Sequence, residues 1–521
     1  MQETANNSER VLSHPVLACA AAKAWEAGLL KDEAAEWRAM QQAGETVAHA
    51  ILEDFKEVGG LPAKARLLVL AGKGHNGGDA LLAVRSILAD RPDARALVAL
   101  CFGAADLRPL ASRALDWLKG EAPDRVEIVP SVQVLAPGES FALCLDGIFG
   151  FQFRAPMDVE TAALIATVNA HAGIKLRAAV DLPSGVGESN ATTIFRADFT
   201  YATGIVKKPV LSPEVAAQVG RLRYLDLGFF AGEGIPDASD RILTTRVLAP
   251  LAEFRASLTD KRTFGHLFVV GGSRSYPGAV VLAVRAALRS GAGLVTAFVP
   301  ERLAPDYAAR HPEAMWVGCP ETPKGGLAMG TLGLIQERMY RASALLMGPG
   351  LSAEPEVLVT IEAIARQTNL PLVLDADALR PEVIAACQGK RIICTPHAGE
   401  YERLGGRAGL RPVSGNAPGG EIVAVLKGPL TRVIVASDRS ETGPTYYSSF
   451  GGPVLARGGS GDILAGLIGG LLAQNPDDLL LAACRGVVWL GRAADLLARA
   501  RGQVAVELSE ILEQLGPALL P

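Results

Sequence analysis

The sequence predicts an α/β protein of two doubly wound domains, and three observations lead to this fold class. First, 521 residues exceed the length of one ordinary domain. Second, short, fully apolar runs alternate with segments of helical spacing, as in parallel sheets covered by helices on both faces. Third, aromatic residues make up only 5% of the chain and 56 glycines fall mostly in clusters. This composition is typical of aliphatic strands and helices joined by Gly-rich loops.

The apolar runs form one series in each half of the chain. In the first half, strands are predicted at residues 67–70, 96–102, 141–145 and 178–180. In the second half, they are predicted at residues 267–270, 294–299, 344–347, 372–374, 391–394 and 433–436. Helical spacing at residues 80–88 and 279–288 indicates that each half builds its own βαβ series. A first helical region, residues 16–56, follows no strand and is expected to pack outside the first sheet.

The two series are separated by residues 228–240, whose sequence is GFFAGEGIPDASD. This segment is rich in glycine, proline and acidic residues and lacks periodicity, as linkers do. We therefore place the boundary near residue 235 and predict domains at residues 1–234 and 235–521.

Composition also excludes several classes of partner. The formal charge of -4 gives no electrostatic reason to expect nucleic acid. Seven cysteines without a CxxC pair fit the reducing cytoplasm, and the polar start MQETANNSER is not a signal peptide. The longest apolar stretch, residues 463–473, is too short to span a bilayer, so we interpret it as a buried helix. We expect a cytoplasmic homo-oligomer that contacts no membrane.

A glycine-rich loop follows the first predicted strand. Residues 71–79 read AGKGHNGGD and enter a helix, so the backbone has room to approach an anionic ligand at the helix N-terminus. The loop matches neither GxGxxG nor the Walker sequence. Taken alone, it fits a phosphate or nucleotide site and a plain tight turn equally well.

Acidic residues end two further strands of the first half. Asp146 follows residues 141–145, and Asp181 follows residues 178–180. Ligands of open parallel sheets bind beyond the carboxyl ends of the strands, so Asn76, Asp79 and Ser184 should converge there with both aspartates. The alternative is that each aspartate only caps the next helix.

These segments resemble the NAD(P)H-hydrate epimerase family, which interconverts the R and S epimers of hydrated NADH and NADPH. The matching motifs are MQQAG at residues 40–44, GKGHNGGD, LDGIFG, VDLPSG, RADFT at residues 196–200, and Lys207. The resemblance implies a Rossmann-like domain that binds K⁺, with an oxygen-rich ligand set of Asn76, Asp146 and Ser184. It implies substrate binding by His75, Asn76, Gly77, Gly78, Asp79, Gly150 and Asp181. Reversible proton transfer to the leaving and returning hydroxyl makes Asp181 the candidate acid/base.

The first half departs from that family at one loop. Where the family has Phe-Gly-Thr-Gly, residues 149–153 read FGFQF. The two additional phenylalanines, Phe151 and Phe153, are expected to reshape or close part of the pocket. The alternative for this half is therefore a non-catalytic binding module.

The second half contains ARGGSGD at residues 456–462, immediately before the apolar helix at residues 463–473. Successive N–H groups of such a loop form an anion cradle at the helix N-terminus. A carboxylate there, Asp462, is placed to accept a proton from an attacking hydroxyl. The alternative is that Ser460 or Asp462 only caps the helix.

The GGSGD motif belongs to an ordered series that resembles the ribokinase-like, ADP-dependent (S)-NAD(P)H-hydrate dehydratases. The series reads TFGH, VVGGS, YPGA, RSGAGLVT, MGPG, LDADAL, TPHAGE and LKG. The resemblance implies contacts of Ala279, Gly350, His397 and Asp462 with the hydrated cofactor, and it makes Asp462 catalytic. It implies that ADP, with Mg²⁺, is bound by Lys427, Gly428, Pro429, Leu430, Thr431 and Gly461. From the residues alone, the alternative for Lys427 is an exposed surface lysine, and the alternative for His397 is a packed loop histidine. Asp375 and Asp377 either assist Mg²⁺ binding or only form hydrogen bonds within loops.

Together these motifs predict a bifunctional enzyme that repairs the hydrates NADHX and NADPHX. The first half exchanges the two epimers, and the second phosphorylates the S hydroxyl with ADP, releasing NAD(P)H, AMP and phosphate. Arg457 departs from the small residue expected there, and residues 489–492 read WLGR where a His-Gly pair is common. The alternative function is a ribokinase-like kinase of a small molecule, joined to a non-catalytic binding module.

Overall fold

The computed structural model describes residues 13–130, 138–410, 420–436 and 443–520. The polar start that argues against a signal peptide lies outside these residues. The chain divides into two compact units. The N unit contains His14–Ile242 and Ala498–Gln503, and the C unit contains Leu243–Leu497 and Val504–Pro521. The boundary near residue 235 stays a prediction.

The first half of the chain alternates helices with strands. Its strands are β1 (Ser13–Pro15), β2 (Arg66–Ala71), β3 (Arg95–Leu100), β4 (Val126–Pro130), β5 (Phe141–Gly147), β6 (Ile174–Val180), β7 (Phe199–Thr203), β8 (Arg221–Leu225) and β9 (Asp240–Leu243). Its α-helices are α1 (Cys19–Leu29), α2 (Glu33–Phe55), α3 (His75–Asp90), α4 (Pro109–Glu121), α5 (Val159–Ala170) and α6 (Ala216–Val219). The four predicted strands are therefore present, although the second ends at Leu100.

The N unit has a seven-stranded parallel sheet of order β4-β3-β2-β5-β6-β7-β8. The order reverses between β2 and β5, which confirms the doubly wound, Rossmann-like class. Along β2, Leu67 and Val69 face one apolar core, and Leu68 and Leu70 face the other. This alternation leaves both faces of the sheet covered, as the uninterrupted apolar strands predicted.

The first helical region consists of two helices. Asp32 separates them and accepts a hydrogen bond from the N–H of Ala35 at 2.7 Å, which is a typical N-cap of α2. Met40, Val47 and Ile51 of α2 belong to the core on one face of the sheet. The region therefore lies outside the sheet, as expected.

The second half of the chain contains the remaining elements. Its strands are β10 (His266–Val270), β11 (Leu294–Pro300), β12 (Met315–Cys319), β13 (Ala344–Met347), β14 (Leu372–Leu374), β15 (Arg391–Cys394), β16 (Glu421–Leu426), β17 (Thr431–Ala436) and β18 (Thr445–Ser448). Its α-helices are α7 (Pro277–Arg289), α8 (Ala304–Arg310), α9 (Thr331–Gln336), α10 (Pro355–Gln367), α11 (Pro381–Ala386), α12 (Ala398–Arg403), α13 (Gly406–Gly409), α14 (Ser460–Gln474), α15 (Leu479–Arg501) and α16 (Ile511–Gln514).

In the C unit, nine strands follow the order β18-β17-β16-β15-β14-β13-β10-β11-β12. Strands β10 to β16 are parallel, which confirms a doubly wound arrangement. The run at residues 433–436 does not continue the parallel series, because β17 pairs antiparallel with β16 and β18. Only residues 427–430 connect β16 to β17, and a parallel crossover needs a longer connection.

The apolar stretch at residues 463–473 is a buried part of α14, as predicted. Its glycines allow close helix packing, because a Cβ on Gly466 would stand 2.1 Å from the carbonyl oxygen of Ala283 in α7. Within the described ranges, no helix is long and apolar enough to cross a membrane.

We expect residues 1–234 and 235–521 to fold as separate proteins, because the N and C units each have a sheet and apolar cores. Independent folding is measured by circular dichroism of each fragment and by a cooperative thermal unfolding transition. As a control, cutting the chain after residue 368, between α10 and β14, should give insoluble pieces. Two insoluble fragments from the cut at 235, beside a soluble whole chain, would contradict the boundary.

Candidate active sites

A cavity of about 620 Å³ lies at the carboxyl end of the N-unit sheet. It is lined by the beginning of α3, by the loop after β5, and by Asp181 and Lys207. Phe151 and Phe153 line this cavity and leave it open. The altered loop therefore reshapes the wall of the pocket without closing it.

Asp181 and Lys207 form a buried ion pair in this cavity. The Lys207 ammonium lies 2.6 Å from Oδ1 of Asp181. Lys207 is only 2% exposed. The N–H of Phe151 also bonds the Asp181 carboxylate, while the Phe151 ring centroid lies 4.8 Å from Nζ of Lys207. Phe151 thus contacts both members of the pair, and a ring face attracts a cation.

Two further carboxylates surround Lys207. Oε1 of Glu26, from α1, lies 3.6 Å from the Lys207 ammonium, and Asp79 of α3 lines the same cavity. Burial raises the pKa of Asp181 although Lys207 lowers it. Burial, then Asp181 and Glu26, hold the pKa of Asp79 well above its usual value, and burial also raises the pKa of Glu26. Burial lowers the pKa of Lys207, but the surrounding carboxylates raise it by more.

The three predicted K⁺ ligands lie near one another. Asp146 is fully buried, and its carboxylate accepts hydrogen bonds from Oγ and N–H of Ser184 at 2.7 Å each and from the N–H of Ile148 at 3.2 Å. Burial raises the pKa of Asp146 to about 6, against these bonds. The amide of Asn76 donates to the carbonyl of Phe149, whose N–H donates to Ser184. The bonds of Asp146 hold a turn and do not cap a helix.

The glycines of the NGGD motif contact the protein itself. A Cβ on Gly77 would meet the carbonyl oxygen of Gly72 at 2.0 Å, and one on Gly78 would meet the sulfur of Met40 at 2.6 Å. The expectation that this loop needs small residues for a ligand is therefore incomplete, because its own packing already requires them. The second contact joins the MQQAG and NGGD motifs.

In the C unit, α14 begins beside a cluster of charged residues. Its N-cap is Gly459 at φ +100°, which has no side chain, so Ser460 and Asp462 do not occupy the N-cap position. The Ser460 hydroxyl donates to the carbonyl of Arg457 at 3.0 Å. The guanidinium of Arg457 bonds the carbonyl of Val504 at 2.6 Å. The unexpected arginine is thus engaged with the chain near the C-terminus.

Lys427 is anchored in this cluster. Its ammonium lies 2.9 Å from Oδ1 of the buried Asp375, which also accepts the Thr395 hydroxyl at 2.7 Å. Oε2 of Glu400 lies 3.9 Å from the same ammonium, and a Cβ on Gly461 would be 3.1 Å from it. Lys427 is therefore more than a surface lysine. Asp377 instead pairs with Arg380 at 3.1 Å.

Asp462 has the pKa of a group that titrates near neutrality. Burial, and then the charge of Asp375, raise this pKa to about 7, while Lys427 lowers it. A carboxylate with such a pKa is well matched to accept a proton at physiological pH.

The predicted cofactor-contacting residues are brought together in part. Gly350 has φ +67°, and a Cβ there would meet the carbonyl oxygen of Tyr276 at 2.4 Å and Cβ of Ala279 at 3.1 Å. His397 forms a bridge with Lys427 and caps α12 through Nδ1, which accepts from the N–H of Glu400 at 3.3 Å. Residues 428–430 connect β16 to β17, and Thr431 begins β17.

Two family models match this chain. Residues 37–209 match the model described as YjeF-related protein N-terminus, and residues 267–516 match NAD(P)H-hydrate dehydratase. The bifunctional NAD(P)H-hydrate repair enzyme of Gloeobacter violaceus is 36% identical over 507 residues, 92% of either chain. That of Thermosynechococcus vestitus is 34% identical over 502 residues, also 92% of either chain. This chain belongs to the family of bifunctional NAD(P)H-hydrate repair enzymes.

Membership in this family confirms the predicted bifunctional enzyme over the alternative of a small-molecule kinase. Among solved structures, an ADP/ATP-dependent NAD(P)H-hydrate dehydratase from Bacillus subtilis, co-crystallised with ATP and Mg²⁺, is 24% identical. It matches with a TM-score of 0.42 over 53% of this chain and 96% of that chain.

Sequence reasoning missed two members of these clusters. Glu26 lies in α1, before the first motif, and nothing in its sequence context distinguishes it from a surface acid. Glu400 was seen only as part of TPHAGE, and its position beside Lys427 follows from the pairing of β15 with β16.

The neighbours of Asp462 should set the pH dependence of dehydration. The rate should fall below about pH 7 as Asp462 becomes protonated. Asp375→Asn removes a negative charge and should move this limb to lower pH, while Lys427→Gln removes a positive charge and should move it to higher pH. The measurement is kcat against pH at saturating ADP and S hydrate, followed by reduced-nicotinamide absorbance.

Asp377→Asn is the matched control and should leave the limb in place, since Asp377 pairs with Arg380. Shifts of the same sign in Asp375→Asn and Lys427→Gln would show that another group titrates.

Proposed function

We propose that the N unit epimerises hydrated NADH and NADPH in the 620 Å³ cavity, with Asp181 as the proton-transferring group. The observation that supports this is the Asp181–Lys207 ion pair, which places a carboxylate of defined charge at the cavity wall. Epimerisation breaks the bond between C6 and its hydroxyl oxygen, and the nicotinamide nitrogen stabilises the resulting cation. Water then returns to either face, and a base must remove its proton.

We assign His75, Gly77, Gly78 and Gly150 to binding of the same substrate. His75 and Gly150 line the cavity, whereas the two glycines support it through their packing. A cavity of this size accommodates part of a dinucleotide and leaves its remainder outside.

A potassium ion fits the floor of this site. The hydrogen-bond donors to Asp146 within the described residues are neutral groups of Ser184 and Ile148, so its charge is available to a cation. Asn76 and Ser184 add an amide and a hydroxyl oxygen, which suit a hard cation. A bound ion would supply the positive charge that keeps Asp146 ionised and holds the adjoining Phe149 loop in place.

In the C unit, we propose that Asp462 deprotonates the C6 hydroxyl of the S hydrate. The hydroxyl oxygen then attacks the terminal phosphorus of ADP, and AMP leaves. The phosphate then leaves C6 while C5 loses a proton, which forms the C5–C6 double bond of NAD(P)H. The N–H groups at the beginning of α14 are positioned to stabilise charge on phosphoryl oxygens. Ala279, Gly350 and His397 are assigned to the hydrated cofactor.

The adenine nucleotide is assigned to Lys427 through Thr431 and to Gly461. Lys427 supplies a point charge for phosphate, and its ammonium lies close to Gly461. Oδ1 of Asp375 is occupied by Lys427 and Thr395, but Oδ2 faces Gly461, where a Cβ would be 3.7 Å away. This second oxygen fits a Mg²⁺ that accompanies the nucleotide.

We further propose a cytoplasmic homo-oligomer. All seven cysteines lie within the described ranges and are free thiols, which suits a reducing compartment.

Asp462→Asn should lower the rate of dehydration by about 10²–10⁴-fold, because it removes the base. Binding of ADP, measured by calorimetry, should change little, since the N–H groups of α14 and Lys427 remain. Ser460→Ala is the control, because its hydroxyl bonds only the carbonyl of Arg457 among the described residues. Turnover near the wild-type rate in Asp462→Asn would exclude Asp462 as the base.

Asp181→Asn should stop conversion of R to S hydrate while dehydration of pure S hydrate continues unchanged. Asp181 has φ +65°, which asparagine tolerates and alanine does not, so this change removes charge without adding backbone strain. The assay supplies R hydrate with ADP and measures NADPH recovery above spontaneous epimerisation. If wild-type recovery equals the spontaneous rate, the N unit is a binding module. If the variant is as fast as wild type, Asp79 is the next residue to test.

A further inference from the structure

Glu26 lies in the epimerase cavity but outside every motif of the sequence. It belongs to α1, whereas the N-terminal family model begins at residue 37. Its carboxylate lines the same cavity as Asp181 and Asp79 and lies 3.6 Å from the ammonium of Lys207. Its side chain is 22% exposed, so it is largely withdrawn from water.

Charge balance in this cluster favours a retained proton. Glu26, Asp79 and Asp181 all interact with the ammonium of Lys207, so full ionisation would leave more negative than positive charge around it. The other cations of the cavity wall are Lys23, Lys73, Arg108 and Arg154. An excess of negative charge around a buried ammonium favours neutralisation of one carboxylate. Lys207 favours the ionised form of Asp181 over that of Glu26, because its ammonium is 2.6 Å from Asp181 and 3.6 Å from Glu26, and ion-pair energy falls with distance.

Epimerisation at C6 needs both protonation states at once. The departing hydroxyl leaves as water only if an acid gives it a proton. The water that returns to the opposite face must lose a proton to a base. A carboxylate on one side of the ring reaches only one face of C6, so a second group is required on the other side.

We propose that Glu26 is the general acid of the epimerase, acting opposite Asp181 as the base. Glu26 gives its proton to the C6 hydroxyl, the C6–O bond breaks, and water departs with the bonding electrons. The nitrogen lone pair of the ring forms the C6–N double bond. Water then adds at the other face of C6, the nitrogen recovers its electron pair, and Asp181 takes the proton released.

Lys207 restores the starting state between turnovers. Its ammonium gives a proton to Glu26 at 3.6 Å and takes one from Asp181 at 2.6 Å, so no proton is gained or lost. The reverse epimerisation exchanges the roles of the two carboxylates. Because Lys207 contacts both, either epimer can be the substrate, as an epimerase requires.

The charged groups that face Glu26 come from several elements. Lys207 and Asp181 follow strands of the sheet, Asp79 belongs to α3, and Lys23 of its own helix also lines the cavity. At the cavity mouth, Glu36 of α2 lies 3.6 Å from the ring of His75. Burial raises the pKa of Glu26, and Asp181 raises it further, while Lys207 lowers it.

This assignment rests on the proposed epimerase activity, and Glu26→Gln tests it. Glutamine preserves the shape of the side chain and removes its proton. We expect recovery of NADPH from R hydrate to fall by about 10²–10⁴-fold in kcat, with little change in KM. Burial raises the pKa of Glu26, so wild-type epimerisation should decline on the alkaline side of its pH profile as Glu26 ionises, and the variant should lack this decline. Glu26→Asp should be slower than wild type and should keep this decline with rising pH.

The control is Glu188→Gln. Oε1 of Glu188 accepts the N–H of Cys19 at the beginning of α1, but this residue does not line the cavity. It should epimerise at the wild-type rate, which separates loss of the acid from disturbance of the helix. Circular dichroism and the thermal unfolding transition of the whole chain serve as the folding check for every variant.

Three outcomes would overturn the assignment. If Glu26→Gln epimerises as fast as wild type, Glu26 is not the acid, while the proposed epimerase activity stands. If Glu26→Gln raises KM and keeps both kcat and the alkaline decline, Glu26 only binds substrate. If wild type recovers R hydrate no faster than the spontaneous rate, the epimerase proposal itself fails, and the role of Glu26 fails with it.

Discussion

In each unit, one lysine balances several carboxylates at the carboxyl end of a parallel sheet, and the chemistry of each site depends on that balance. Lys207 lies 2.6 Å from Asp181, and Lys427 lies 2.9 Å from Asp375. Both aspartates follow a strand directly, where parallel strands bring their carboxyl ends to one edge. With fewer positive than negative side chains, each cluster retains a group whose proton is easily exchanged.

The two units use this imbalance in opposite ways. In the N unit, burial and the neighbouring carboxylates raise the pKa values of Glu26 and Asp79, which favours a retained proton. In the C unit, burial and then the charge of Asp375 raise the pKa of Asp462 to about 7, so that the ionised form is both accessible and basic enough to accept a proton. The lysine limits the effect in each case, because Lys207 lowers the pKa of Asp181 and Lys427 lowers the pKa of Asp462.

The sequence was sufficient for the parts of the fold that depend on local pattern. Uninterrupted apolar runs and the residues just after them located Asp181, Asp146 and Asp462, since strand ends and helix starts are visible in a single segment. The sequence was insufficient for features that depend on which distant segments of the chain come together. The antiparallel direction of β17 depends on a short connection, and the approach of Glu26 to Lys207 joins residues 181 positions apart. A local sequence pattern carries no information about a contact between residues so far apart in the chain.

At residues 149–153, where the sequence departs from a family motif, the structure shows the effect of the departure on the pocket. From sequence, two added phenylalanines were expected to reshape or close part of the pocket, which made a binding module the alternative. In the structure, Phe151 places its ring beside Lys207 and its N–H on Asp181, and the cavity beside it remains open. An apolar ring there excludes water from the ion pair, which strengthens the electrostatic coupling among Lys207, Asp181 and Glu26.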